Sequence, residues 1–164
     1  MVRKILIALL MTVFSSTAFA GDDSSGKISI EGFFAGTLSM LDAGKGNLAI
    51  TYDGVMGLKA LDGTTFGDRS TWHCVGALTA LGGKFDNENG ICKWQFADGD
   101  TAFSTYVGSG ALGQEASGTW HFIGGTGKYE KISGGGMYVR QLVRNAKDGV
   151  SQAYNTSTGT YSLN

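Results

Sequence analysis

The sequence contains no proline. Hairpin turns that need positive φ are therefore left to Gly, Asn and Asp. It also lacks any long segment with helical periodicity, which argues against a helical domain. Charge of one sign is scarce: the net charge is −1, or −3 once Arg3 and Lys4 are set aside. Acidic and basic side chains are interspersed with no basic stripe, so a nucleic-acid partner has no electrostatic support. The two cysteines form no CxxC, which excludes a reactive dithiol of that type. Neither HxH, HExxH nor paired CxxC occurs, so no metal site is expected. No GxSxG marks a nucleophile, and the Asp98-Gly99-Asp100 turn lacks the remaining positions of a calcium loop. No repeat of about 20–50 residues suggests a propeller or solenoid.

What is present begins with a leader. Arg3 and Lys4 precede an apolar run over 5–14, and SSTAFA closes it with small residues, as in a secretory signal cut between Ala20 and Gly21. The run is too short for a membrane helix, which needs about 20 residues. No cysteine follows the expected cut, so no lipid anchor is expected there. Residues 1–20 are thus read as a signal peptide and 21–164 as one domain, long enough to bury a core. A bacterial periplasmic or secreted location follows as the expectation, with no membrane span after signal removal.

All 27 glycines lie after residue 20, far above the usual ~7%. Short runs of period two, broken by Gly or Asp, predict a β-sandwich or barrel. Nine runs are candidates: 27–38, 47–52, 55–61, 69–80, 91–97, 102–107, 117–123, 134–142 and 151–162. Asp53-Gly54, Asp62-Gly63, Asn89-Gly90, Asp98-Gly99 and Asp148-Gly149 are read as turns between them. Connections this short favour antiparallel neighbours.

The cysteines supply a register. If Cys74 faces Cys92 across an antiparallel pair, Trp72 faces Trp94, and all four share one face because each pair is two residues apart. Opposed Cα atoms then lie within disulfide range. A bond is expected in an oxidising compartment, stabilising the fold by about 3 kcal/mol in the chain-entropy model. His73, next to Cys74, takes the opposite face, and His121 points away from Trp120 and Phe122.

The segment 118–138 reads GTWHFIGGTGKYEKISGGGMY. Its GTW is similar to a motif of lipocalins and avidins, but there it opens the first strand, whereas here it lies late in the chain. Gly124, Gly125, Thr126, Gly127, Tyr129, Gly134 and Gly136 resemble a late glycine-rich segment shared by the allene oxide cyclase and dirigent barrels. The paired glycines permit a left-handed bend, and Tyr129 can plug the barrel end. This resemblance implies an all-β fold: a closed, antiparallel, eight-stranded barrel, calycin-like and allene oxide cyclase-like. It also implies an apolar cavity and, as often in the plant members, a homo-oligomer. No catalytic residue is carried over: the cyclase site includes a proline, and this chain has none.

Three function classes follow. The leading expectation is a barrel that binds a small, largely apolar ligand without a cofactor, with Trp72, Trp94, Tyr106, Trp120 and Tyr138 as ligand-binding candidates. The same aromatic residues, with Phe33, Phe34, Tyr52 and Phe103, can instead fill the lumen of a purely structural barrel. A second class is a cofactor-free isomerase or cyclase using some of His73, His121, Tyr106, Tyr138, Arg140 and Glu115, although lone charges such as Arg140 and Glu115 are expected to face water. The third, an outer-membrane barrel, fits poorly with the 151–162 run, which is polar on both faces.

Overall fold

The computed structural model describes residues 24–164; the expected leader at 1–20 lies outside them. Eight strands follow one another: β1 (Ser25–Asp42), β2 (Leu48–Ala60), β3 (Thr71–Ala80), β4 (Lys84–Gln95), β5 (Thr101–Ala111), β6 (Ala116–Gly125), β7 (Ser133–Leu142) and β8 (Val150–Ser162). Each pairs antiparallel with its successor, and β8 returns to β1 from Ser25↔Ser162 to Thr37↔Val150. The result is a closed, all-β barrel with no free sheet edge, and edges are where strands recruit foreign chains.

The expected register of β3 and β4 is the one found. Cys74 faces Cys92 and Trp72 faces Trp94, the sulfurs are bonded, and all four side chains are buried.

Two expected turns are not turns. Asp53-Gly54 lies within β2 and Asn89-Gly90 within β4, so nine expected runs become eight strands. These glycines give room rather than bend the chain. A Cβ on Gly54 would collide with the Phe34 ring, and one on Gly76 or Gly90 with the Tyr106 hydroxyl. An eight-stranded barrel is narrow, so an inward ring needs a bare backbone beside it.

β4 carries a bulge. Phe85 faces Gly110 and Glu88 faces Gly108, so Asp86 and Asn87 together oppose the single residue Ser109. The extra residue resets the alternation, and Phe85 and Glu88 both turn inward.

Connections alternate between the two ends of the barrel. At one end run the segments 61–70, 96–100 and 126–132. Phe66, from the first, packs edge-on against Trp94, Phe96 and Phe122 and stacks on Tyr161 at 4.1 Å. Tyr129, from a single 3₁₀ turn (Gly127–Tyr129), stacks on Phe96 at 4.0 Å. Gly127 has φ +53°, and a Cβ there would strike the Asp100 carboxylate, so the turn demands glycine. With Ile28, Ile30 and Leu58 these rings make a continuous core, each large side chain contributing roughly 1.5–3 kcal/mol by burial. At the other end are 43–47, 81–83, 112–115 and 143–149. Backbone bonds tie three of these together: Gly83 N–H to Gly46 O and Leu112 N–H to Gly83 O, both 2.8 Å.

Candidate functional site

Between the aromatic plug and the short hairpins the lumen is not filled. A cavity of about 170 Å³ remains. Its wall is apolar toward the hairpins (Leu38, Ile50, Leu78, Phe85) and carries the disulfide and Trp72 on one side. Tyr52, Tyr106, Tyr138 and Arg140 also line it, gathered around one carboxylate.

That carboxylate is Glu88, whose side chain is wholly buried. Arg140, on β7, grips it with both terminal nitrogens: Nη1 bonds Oε1, and Nη2 lies 3.1 Å from Oε2. The Tyr52 hydroxyl donates to Oε1 at 2.6 Å and the Tyr138 hydroxyl to Oε2 at 3.1 Å. Tyr52 and Tyr106 hydroxyls are 2.7 Å apart. Because the Tyr52 proton goes to Glu88, Tyr106 donates to Tyr52. An ionised carboxylate accepts only, so every phenolic proton in the cluster runs toward Glu88. Buried charges are tolerated when paired and hydrogen-bonded, and here both Glu88 oxygens are engaged.

The electrostatics follow from that geometry. Burial, followed by the nearby Glu88 charge, pushes the Tyr52 and Tyr138 phenols well above their ordinary value. Burial pushes Tyr106 up to about 12. For Arg140 burial pulls downward, but the Glu88 carboxylate outweighs it and the net direction is up. At neutral pH the cluster holds neutral phenols around an ion pair.

The sequence candidates divide by face. Trp72, Tyr106, Trp120 and Tyr138 stand on the cavity wall. Trp94 does not: it is fully buried in the plugged end, with Nε1 donating to Ser104 Oγ at 2.9 Å. His73 and His121 lie outside the barrel, His73 against Asp53 (2.7 Å) and His121 against Thr105. Glu115 is exposed in the β5–β6 turn, accepting from Gln141. Arg140 corrects an expectation. It does not face water, because Glu88 draws its guanidinium into the lumen. Among the described residues no three His, Cys, Asp or Glu side chains gather to hold a metal.

Glu88 itself is missing from the sequence candidates. It falls in the stretch read as a connection before the supposed turn at Asn89-Gly90. The signal lay in the register: strands paired as Cys74 with Cys92 put the even-numbered residues of β4 from Glu88 to Trp94 on the Cys92 face.

Fold and site define a closed eight-stranded barrel with a small lumen and a charged cluster in its wall. No protein-family model matches the sequence, and a search of curated proteins finds no match. Among solved structures the barrel is similar to a pterocarpan synthase dirigent protein, with a TM-score of 0.53 at 8% identity, over 85% of this chain and 92% of that one. The fold is thus a dirigent-like barrel.

Proposed function

We propose that the protein binds a small, largely apolar molecule inside the barrel, oriented by the Glu88, Arg140 and tyrosine cluster. The observation that carries this reading is the unfilled lumen. A chain able to pack one end with six aromatic rings leaves the other hollow and lines it with apolar side chains and a few convergent polar groups, the usual make-up of a ligand site. Trp72 and Trp120 stand on the wall, so tryptophan emission should shift saturably when an apolar probe enters. A flat titration across a panel of hydrophobic probes would count decisively against it.

One observation favours a second reading, a cofactor-free isomerase or cyclase. A guanidinium and three phenols line one cavity, held around the buried Glu88 carboxylate behind them, a convergence of polar groups of the kind a catalytic site requires. The dirigent protein of similar fold is named a synthase. With its protons committed inward, this cluster suits catalysis by shaping a reactive guest rather than by general acid transfer.

Export belongs to the same proposal. The 1–20 leader pattern and a disulfide of the kind oxidising compartments preserve both support a bacterial periplasmic or secreted protein. The barrel exterior carries Glu31 beside Lys59 and Asp53 beside His73, both exposed, which speaks for a water-facing wall. Kinship with the allene oxide cyclases rests on the 124–136 glycine segment.

A further inference from the structure

We infer that the lumen takes an uncharged group about the size of one aromatic ring, and that any charged end of the guest stays outside, at a mouth between the β5–β6 turn and the end of β7. This rests on the reading that the cavity binds a ligand, and it specifies which class of ligand: a single-ring apolar head, whose charged part, if present, hangs on a tether.

Size comes first. An engineered apolar cavity of about 150 Å³ takes up benzene, so 170 Å³ admits one ring with a short substituent.

Charge follows from where the polar groups are engaged. Among the residues that line the cavity Arg140 alone is charged, and both its terminal nitrogens are on Glu88. The phenol tips are turned away as well. A Cβ on Gly76 or Gly90 would collide with the Tyr106 hydroxyl, and one on Gly108 with the Tyr138 hydroxyl, so both tips are sunk in recesses of the β3–β5 wall. The Tyr52 hydroxyl is taken up by Glu88 and Tyr106. The ion pair thus holds three rings in place, and a guest meets their carbon atoms. Leu38, Ile50, Leu78 and Phe85 complete the apolar lining. A charged group brought into this space would lose its water and find no free counter-charge, a penalty that the burial of one ring does not offset.

The mouth is located by exposure. Of the residues that line the cavity, Gly113, Gln114 and Leu142 are the exposed ones. All lie at the hairpin end, in the β5–β6 turn and at the end of β7. The other end of the lumen is stopped by the Phe66 and Tyr129 rings. A charged substituent therefore reaches water only past Gln114 and Leu142.

The test uses three probes on the oxidised full chain at neutral pH and low salt, by calorimetry or tryptophan emission: toluene, benzoate, and 5-phenylpentanoate, whose carboxylate hangs on four methylenes. Benzoate should bind at least about tenfold more weakly than toluene, and 5-phenylpentanoate at least about tenfold more tightly than benzoate. Leu142→Lys should bind 5-phenylpentanoate at least about threefold more tightly than Leu142→Glu. Toluene should not distinguish the two variants, and its retained binding shows that they are folded. Gln95→Glu, exposed at the plugged end, should leave every affinity unchanged. If a variant fails to fold, the wild-type comparison still decides. The inference is overturned if benzoate binds within tenfold of toluene, if the tether restores nothing, or if folded Leu142→Lys and Leu142→Glu proteins bind 5-phenylpentanoate alike. If no probe binds, the ligand-binding reading falls, and this inference with it.

Discussion

The two ends of this barrel solve the same problem differently. Both are lumens of one eight-stranded wall, with room for side chains or one small guest. At the plugged end, long connections bring in Phe66 and Tyr129, and Trp94 is enclosed on every side. At the hairpin end no connection carries an aromatic residue, and the lumen is left to a cavity and a buried ion pair. Stability is concentrated where the loops reach inward, and chemical variety where they do not. A small barrel can thus hold a costly polar cluster because its other half is an ordinary hydrophobic core.

The contrast can be broken most directly by substitution at each end. Trp94→Ala should destabilise the fold by about 3–5 kcal/mol through the void it leaves. Arg140→Met should cost a similar amount, about 3–5 kcal/mol, for a different reason: Glu88 is left buried without its cation. Urea denaturation measures both, and probe binding separates them. Folded Trp94→Ala protein should keep its probe affinity, whereas Arg140→Met should lose it. Equal effects on binding would mean that the two halves are not independent.

A smaller effect is expected in alkali. A tyrosine whose folded pKa is raised releases its proton later than in the unfolded chain, so the stability it contributes is complete below the unfolded value of about 10. That contribution is lost as pH climbs through the folded value, which for Tyr106 is about 12. Stability measured by denaturation should therefore fall between about pH 10 and 12, and Tyr106→Phe should flatten that fall. A profile unchanged by the substitution would place the alkaline sensitivity elsewhere. The smallest effect belongs to the outer wall: His73→Ala removes an exposed contact with Asp53 and should shift stability by less than about 0.5 kcal/mol.

How much of this was legible depends on the range of each signal. The disulfide and the Trp72–Trp94 pair could be read because four residues in one hairpin obey one register. Carried further along β4, the same register puts Glu88 on the inner face; nearer the tip the pairing slips by one, so that Leu81 and not Gly82 bridges Lys84. Asn89-Gly90 obscured it, since the dipeptide has the composition of a turn and the role of a recess. Arg140 was opaque for another reason: its partner lies 52 residues away on a strand that is not its neighbour, and no local pattern encodes a meeting across a lumen. The cavity was beyond reach too, because identical aromatic residues fill one half and border the other.

The irregularity at Asp86 and Asn87 has a consequence for how such a protein can change. It works as a phase-shifter between the rim and the interior: the Phe85 ring and the Glu88 carboxylate face the same way only because one residue there is supernumerary. Deleting that residue would leave a regular ladder with both side chains still inward, whereas flattening the bulge at unchanged length would swing Phe85 outward and widen the mouth of the lumen with Glu88 still in place. The rim and the buried ion pair thereby sit on opposite sides of a single slip in the ladder, and one can be altered without rewriting the other.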